Sequence, residues 1–158
     1  MKKIISLFLV ILVFSSCTDD VRFNTKALQG IKDGVFWRSI DCKATIGVGN
    51  ALTIVAVTQY ETVTLKTTST NVAIYPLGTS DSKKASYTFA IGNESWSYAT
   101  GINSGEGQIE ITEFDPTNMT VTGKFRFNAK ITVSNVLVPD NIVFQEGIFY
   151  KVPITPSL

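Results

Sequence analysis

The chain has no histidine. That excludes imidazole general acid–base catalysis, Ser-His-Asp and Cys-His sites, and imidazole metal ligands. It has only two cysteines, Cys17 and Cys42, too few for a zinc site of the finger type. Neither sign of charge dominates: 14 basic residues stand against 13 acidic ones, with no block of like charge. Nothing in that balance recommends nucleic acid as a partner. No apolar run reaches the ~20 residues a membrane-spanning helix needs. After the first twenty residues, no stretch sustains a 3.6-residue apolar period over three turns.

What is present begins at the N-terminus. Lys2 and Lys3 precede an apolar run, Ile4–Phe14, broken only by Ser6. Ser15 and Ser16 then lead into Cys17. This has the anatomy of a secretory signal, which is removed before folding. A cysteine just after small residues resembles the lipobox of bacterial lipoproteins, which implies cleavage before Cys17 and acyl chains on it. The expected organisation is a signal peptide over 1–16, a lipidated cysteine and tether over 17–26, and one β-domain over 27–158. About 140 residues suffice for one core without staples. Cys42 is then left without a partner; a Cys17–Cys42 disulfide is the competing reading. Cys42 shares strand parity with Ala44, Ile46 and Val48, which reads as a buried, inert thiol.

The remainder reads as all-β. Thr, Val, Ile, Tyr and Phe fill short alternating runs, punctuated by turn residues. Asp33-Gly34 is a turn signal, and Phe36-Trp37 opens a strand. The clearest element is a hairpin. Ile109 and Ile111 face one way, Asp115-Pro116-Thr117-Asn118 turns the chain, and Val121, Gly123, Phe125, Phe127 and Ala129 face back inward. Ile131 and Val133 extend that pattern. In the last strand, Ile142–Ile154, Glu146 interrupts an apolar parity, and Gly147 beside it predicts a bulge. About nine or ten strands at roughly ten-residue spacing predict one antiparallel β-sandwich or barrel, antiparallel throughout.

Three segments together resemble a known family. They are Ala27-Leu28-Gln29-Gly30 with Asp33-Gly34 and Trp37, the hairpin Gly107–Asp115 with Val121–Ala129, and the ending Glu146–Ile154. They are similar to small lipoproteins of Bacteroidetes catalogued as a domain of unknown function. The resemblance implies a fold and an address, and no reaction. It further implies that Asp19 and Asp20, just after Cys17, act as an export signal to the outer face of the outer membrane. A plain soluble tether is the other reading of those two residues.

Candidate chemistry is sparse. Glu106, Glu110, Glu113 and Asp115 cluster, and a glycosidase needs two carboxylates roughly 5 to 9.5 Å apart; on the hairpin they read better as a solvated face. Glu146, among Phe144, Ile148 and Tyr150, is a candidate ligand anchor if it points inward, whereas a bulge would turn it to solvent. Trp37, Tyr60, Trp96 and Tyr98 could stack on sugar rings or peptide side chains. Trp96 and Tyr98 share a strand face, as a two-ring platform or as core residues. No loop concentrates oxygen ligands for calcium, and no Gly-rich phosphate loop follows a strand. No cofactor is therefore expected. The function expected is a non-catalytic binding or interaction module for a glycan or protein, membrane-attached through acylated Cys17. The alternatives are a glycan hydrolase with paired carboxylates and a lipocalin-like carrier of an apolar ligand.

Overall fold

The computed structural model describes residues 26–133 and 137–156. The signal, Cys17, Asp19 and Asp20 lie outside the described residues. Among the described residues, eleven strands form one continuous hydrogen-bonded sheet. In chain order they are β1 (Ala27–Lys32), β2 (Val35–Arg38), β3 (Asp41–Ile46), β4 (Leu52–Val57), β5 (Glu61–Thr67), β6 (Ala73–Leu77), β7 (Lys84–Ile91), β8 (Glu94–Ala99), β9 (Glu106–Asp115), β10 (Thr120–Ile131) and β11 (Asn141–Pro156).

Two long strands organise the sheet. Through most of its length β10 lies between β9 and β11, but its last residues, Lys130 and Ile131, pair with Ala99 and Tyr98 of β8. β11 pairs with β1 as far as Tyr150, then runs alongside β3 through Ile154, Thr155 and Pro156. The ladders therefore trace a closed circuit, β11–β3–β4–β5–β7–β8–β10 and back to β11. Two branches leave it: β1–β2 from β11, and β9–β6 from β10.

The all-β expectation holds, with two corrections. The β11–β3 ladder is parallel, so the sheet is not antiparallel throughout. Tight turns impose antiparallel pairing only on sequence neighbours, and these two strands are far apart in the chain. The described residues contain eleven strands, because Ala27–Lys32 is a strand in its own right. Its sequence hides this: Gly30 interrupts it, and it has no run of β-branched residues. Two smaller points follow. β10 stops at Ile131, leaving Val133 exposed. The predicted bulge at Gly147 is present as a register shift between Phe125 and Phe127, with Glu146 at φ 50°.

The core follows the period-two patterns. Leu52, Ile54 and Ala56 on β4, Val63 and Leu65 on β5, and Val121, Gly123, Phe125, Phe127 and Ala129 on β10 are all buried. At its centre the Phe144 ring stacks on Phe127 at 4.9 Å and lies 6.1 Å from Phe125. Glycine is required where strands meet these rings. A β-carbon on Gly123 would run into the Glu110 carbonyl oxygen and the Phe149 ring. One on Gly147 would strike Phe125. Gly123→Ala should therefore destabilise the domain by about 2 kcal/mol or more, as overpacking against backbone does. Urea unfolding checks this; a loss under about 0.5 kcal/mol would show that β9 and β11 can part without cost.

Candidate functional site

Along β5, Val63, Leu65 and Thr67 are buried, and Glu61 shares their parity. Its side chain is accordingly drawn toward the core. The turn before it sets this up: Glu61 N donates to Thr58 Oγ1 at 3.0 Å, and Thr58 N donates to the Glu61 carbonyl at 2.8 Å. Four side-chain donors then meet the carboxylate. Tyr87 OH donates to Oε1 at 2.6 Å, and Lys32 Nζ pairs with the same oxygen. Trp37 Nε1 donates to Oε2 at 2.7 Å and Thr58 Oγ1 at 3.3 Å. Lys32 Nζ also donates to Tyr87 OH at 3.1 Å and sits 5.0 Å from the centre of that ring.

These contacts set the ionisation. Burial pushes the Glu61 carboxyl up, but the hydrogen bonds from Lys32, Tyr87 and Trp37, with the lysine charge, outweigh it and hold the group below its ordinary value. Burial first, then the hydrogen bond to Glu61 and its charge, holds the Tyr87 phenol well above the usual range. At neutral pH this is a settled charge pair with a protonated phenol.

A cleft of about 190 Å³ opens beside this network, lined by Lys32, Asp33, Tyr87, Phe89, Trp96 and Tyr98 and walled by the start of β11. Phe89 and Trp96 are direct partners in the β7–β8 ladder. Their rings stack at 5.3 Å and 21°. Tyr60 leans on Phe89 from the β4–β5 turn, 6.5 Å between centroids. Tyr98 is held by a 3.0 Å bond from its hydroxyl to the Pro139 carbonyl. Burial, then the charges of Asp33 and Asp140, raises its phenol.

A family model described as a domain of unknown function (DUF6252) matches residues 24–153. The chain belongs to this family. No curated protein and no solved structure matches it.

In this DUF6252 domain the aromatics divide unequally. Trp37 is 5% exposed, so the expectation of an exposed stacking ring is corrected: its indole N–H is spent on Glu61. Tyr98 is a core residue, and the partner of Trp96 is Phe89 across the ladder, not Tyr98 along the strand. Trp96 remains half-buried at the cleft. Glu146 is exposed, turned out by the bulge. It lines a separate groove of about 260 Å³ with Glu110, Lys124 and Arg126. There Glu110 stands opposite Lys124 in the ladder, and Arg126 donates to Gln108 at 3.2 Å. Glu106 and Glu113 are exposed on the hairpin. Asp115 holds its own turn, accepting from Thr117 N and Asn118 N at 2.9 Å. Cys42 is buried, and burial pushes its thiol up. Among the described residues, no group of three acidic or cysteine side chains could hold a metal.

Sequence reasoning missed Glu61, Lys32, Tyr87 and Phe89 as a group. The usable signal was parity: Glu61 continues the inward face of Val63 and Leu65, and Lys32 that of Leu28 and Gly30. A carboxylate depressed on folding stabilises above its unfolded pKa, and that stability is lost as pH falls through the folded one. Glu61→Gln should thus cost about 2 kcal/mol at neutral pH. It should also flatten the fall in stability below pH 4.5 relative to the parent. Urea unfolding across pH checks both; identical acid slopes would contradict the assignment.

Proposed function

We propose that this DUF6252 chain is a lipid-anchored, non-catalytic binding module of the bacterial cell envelope, held at the outer membrane through acylated Cys17. Its ligand enters the Glu61 cleft. The observation that carries the reading is the half-buried Phe89–Trp96 stack standing beside a fully satisfied charge network. Catalytic acids and bases sit poised near the working pH. Glu61 and Tyr87 are instead both held away from neutrality, in opposite directions. That favours a rigid floor over a proton-transfer site. In this reading the closed circuit of ladders is a flattened barrel with two side branches, and the cleft lies at one end of it.

A carrier of apolar ligands would need an empty interior, and Phe125, Phe127 and Phe144 stack through that space. The paired-carboxylate alternative draws on Glu106 and Glu110 of the hairpin; Glu106 is exposed there, and Glu110 shares an outer groove with Glu146 and two cations. Turnover of a glycan or peptide that Glu110→Gln or Glu146→Gln abolishes would overturn the non-catalytic reading.

The address has its own test. The parent protein should fractionate with membranes and Cys17→Ala should be soluble, since two or three acyl chains anchor stably where one does not. Protease added to intact cells should remove the domain if Asp19 and Asp20 direct it outward. Parent and variant both soluble would contradict lipidation.

A further inference from the structure

We propose that the Glu61 cleft takes a single neutral sugar ring, its apolar face lying on Trp96. This rests on the cleft being the ligand site. Three observations point to that ligand class. The first is size. At about 190 Å³ the cleft falls below the ~300–1,000 Å³ of pockets that enclose drug-sized ligands. It has room for one ring, with the rest of a longer ligand left in solvent. The second is shape. Phe89 stacks nearly parallel on one face of Trp96, and both rings line the cleft. Near-parallel rings form a platform for a flat partner, whereas a cage for an ammonium group needs rings set around it.

The third is polarity. Glu61 receives four donors, so it offers a cation no open carboxylate. Lys32 is paired with Glu61, so it offers an anion no unpaired charge. A lysine has three N–H donors, however, and among the described residues two are committed, to Glu61 and Tyr87. In the proposed complex the third bonds a ligand oxygen. Asp33, next to Lys32 in the chain, also lines the cleft and supplies acceptors; one of its oxygens takes the Val143 N–H at 2.9 Å, and the tetramethylammonium and basic-peptide probes test whether this carboxylate selects a cation instead. A donor, an acceptor and a flat apolar face together match a ring that carries hydroxyl groups at its edge and C–H bonds on its face.

The test is a titration of the full mature domain with defined probes, followed by tryptophan emission and by calorimetry. The probes are glucose, galactose, mannose and N-acetylglucosamine as neutral sugars, glucuronate as an acidic one, tetramethylammonium as a cation, and a short basic peptide. A neutral sugar should shift the emission and saturate in the millimolar range. Trp96→Ala should weaken it about tenfold or more, and Trp96→Phe should restore part of the loss, with both variants still unfolding cooperatively above the temperature of the titration. Glucuronate should bind no better than its neutral counterpart. Saturation by tetramethylammonium or the basic peptide alone, lost in Trp96→Ala, would overturn the sugar while leaving the cleft as the site. Sugar binding that calorimetry finds undiminished in Trp96→Ala would overturn the cleft itself. No response to any probe by either method would overturn the sugar proposal.

Discussion

A carboxylate drawn largely out of water costs several kcal/mol unless donors replace its hydration shell. At Glu61 they come from four places: Lys32 at the end of β1, Trp37 in β2, Tyr87 in β7 and Thr58 in the β4–β5 turn. This ties together parts of the sheet that no ladder joins. β1 and β2 hang from β11 as a side branch, with β2 at its edge. The Glu61 network fastens that branch across β5 and β7. Loss of any one donor leaves the others around a charge the fold has already dehydrated, so each deletion costs more than an isolated hydrogen bond would.

The cleft inherits its shape from this fastening. Lys32 and Tyr87 belong both to the network and to the cleft wall. Their positions are fixed by Glu61 before any ligand arrives. Preorganisation of this kind lowers the entropy cost of binding. It also removes freedom that acid–base chemistry would need, since the same contacts settle the protonation of Glu61 and Tyr87. Under the proposed binding reading, the network serves to hold the cleft wall in place.

Much of the fold was legible because one rule, alternation of apolar and polar residues, is local. β10 announces its inward face from Val121 to Ala129, Asp115 announces its turn, and Gly147 its bulge. What escaped is non-local. The parallel β11–β3 ladder depends on closure of the circuit, which no hairpin signal encodes. β1 escaped because Gly30 and polar residues interrupt its pattern, although Leu28 is fully buried. In the site, Trp96 was legible as half of an aromatic pair, but its partner Phe89 comes from the neighbouring strand. Trp37 read as a free ring because the carboxylate that claims its N–H lies 24 positions later. Parity could have singled out Glu61 as an inward charge. Only the packing of β1 and β2 over β5 could say which donors would answer it.

Glu61 energetically couples the β1–β2 branch to the rest of the sheet. A double-mutant cycle on Trp37→Phe and Glu61→Gln, read by urea unfolding at neutral pH, tests it most directly. A coupling of about 1 kcal/mol or more is expected, because the two side chains share a hydrogen bond inside one network. Losses that add to within about 0.3 kcal/mol would contradict it, and would make Glu61 a bystander to a branch held by its ladder alone.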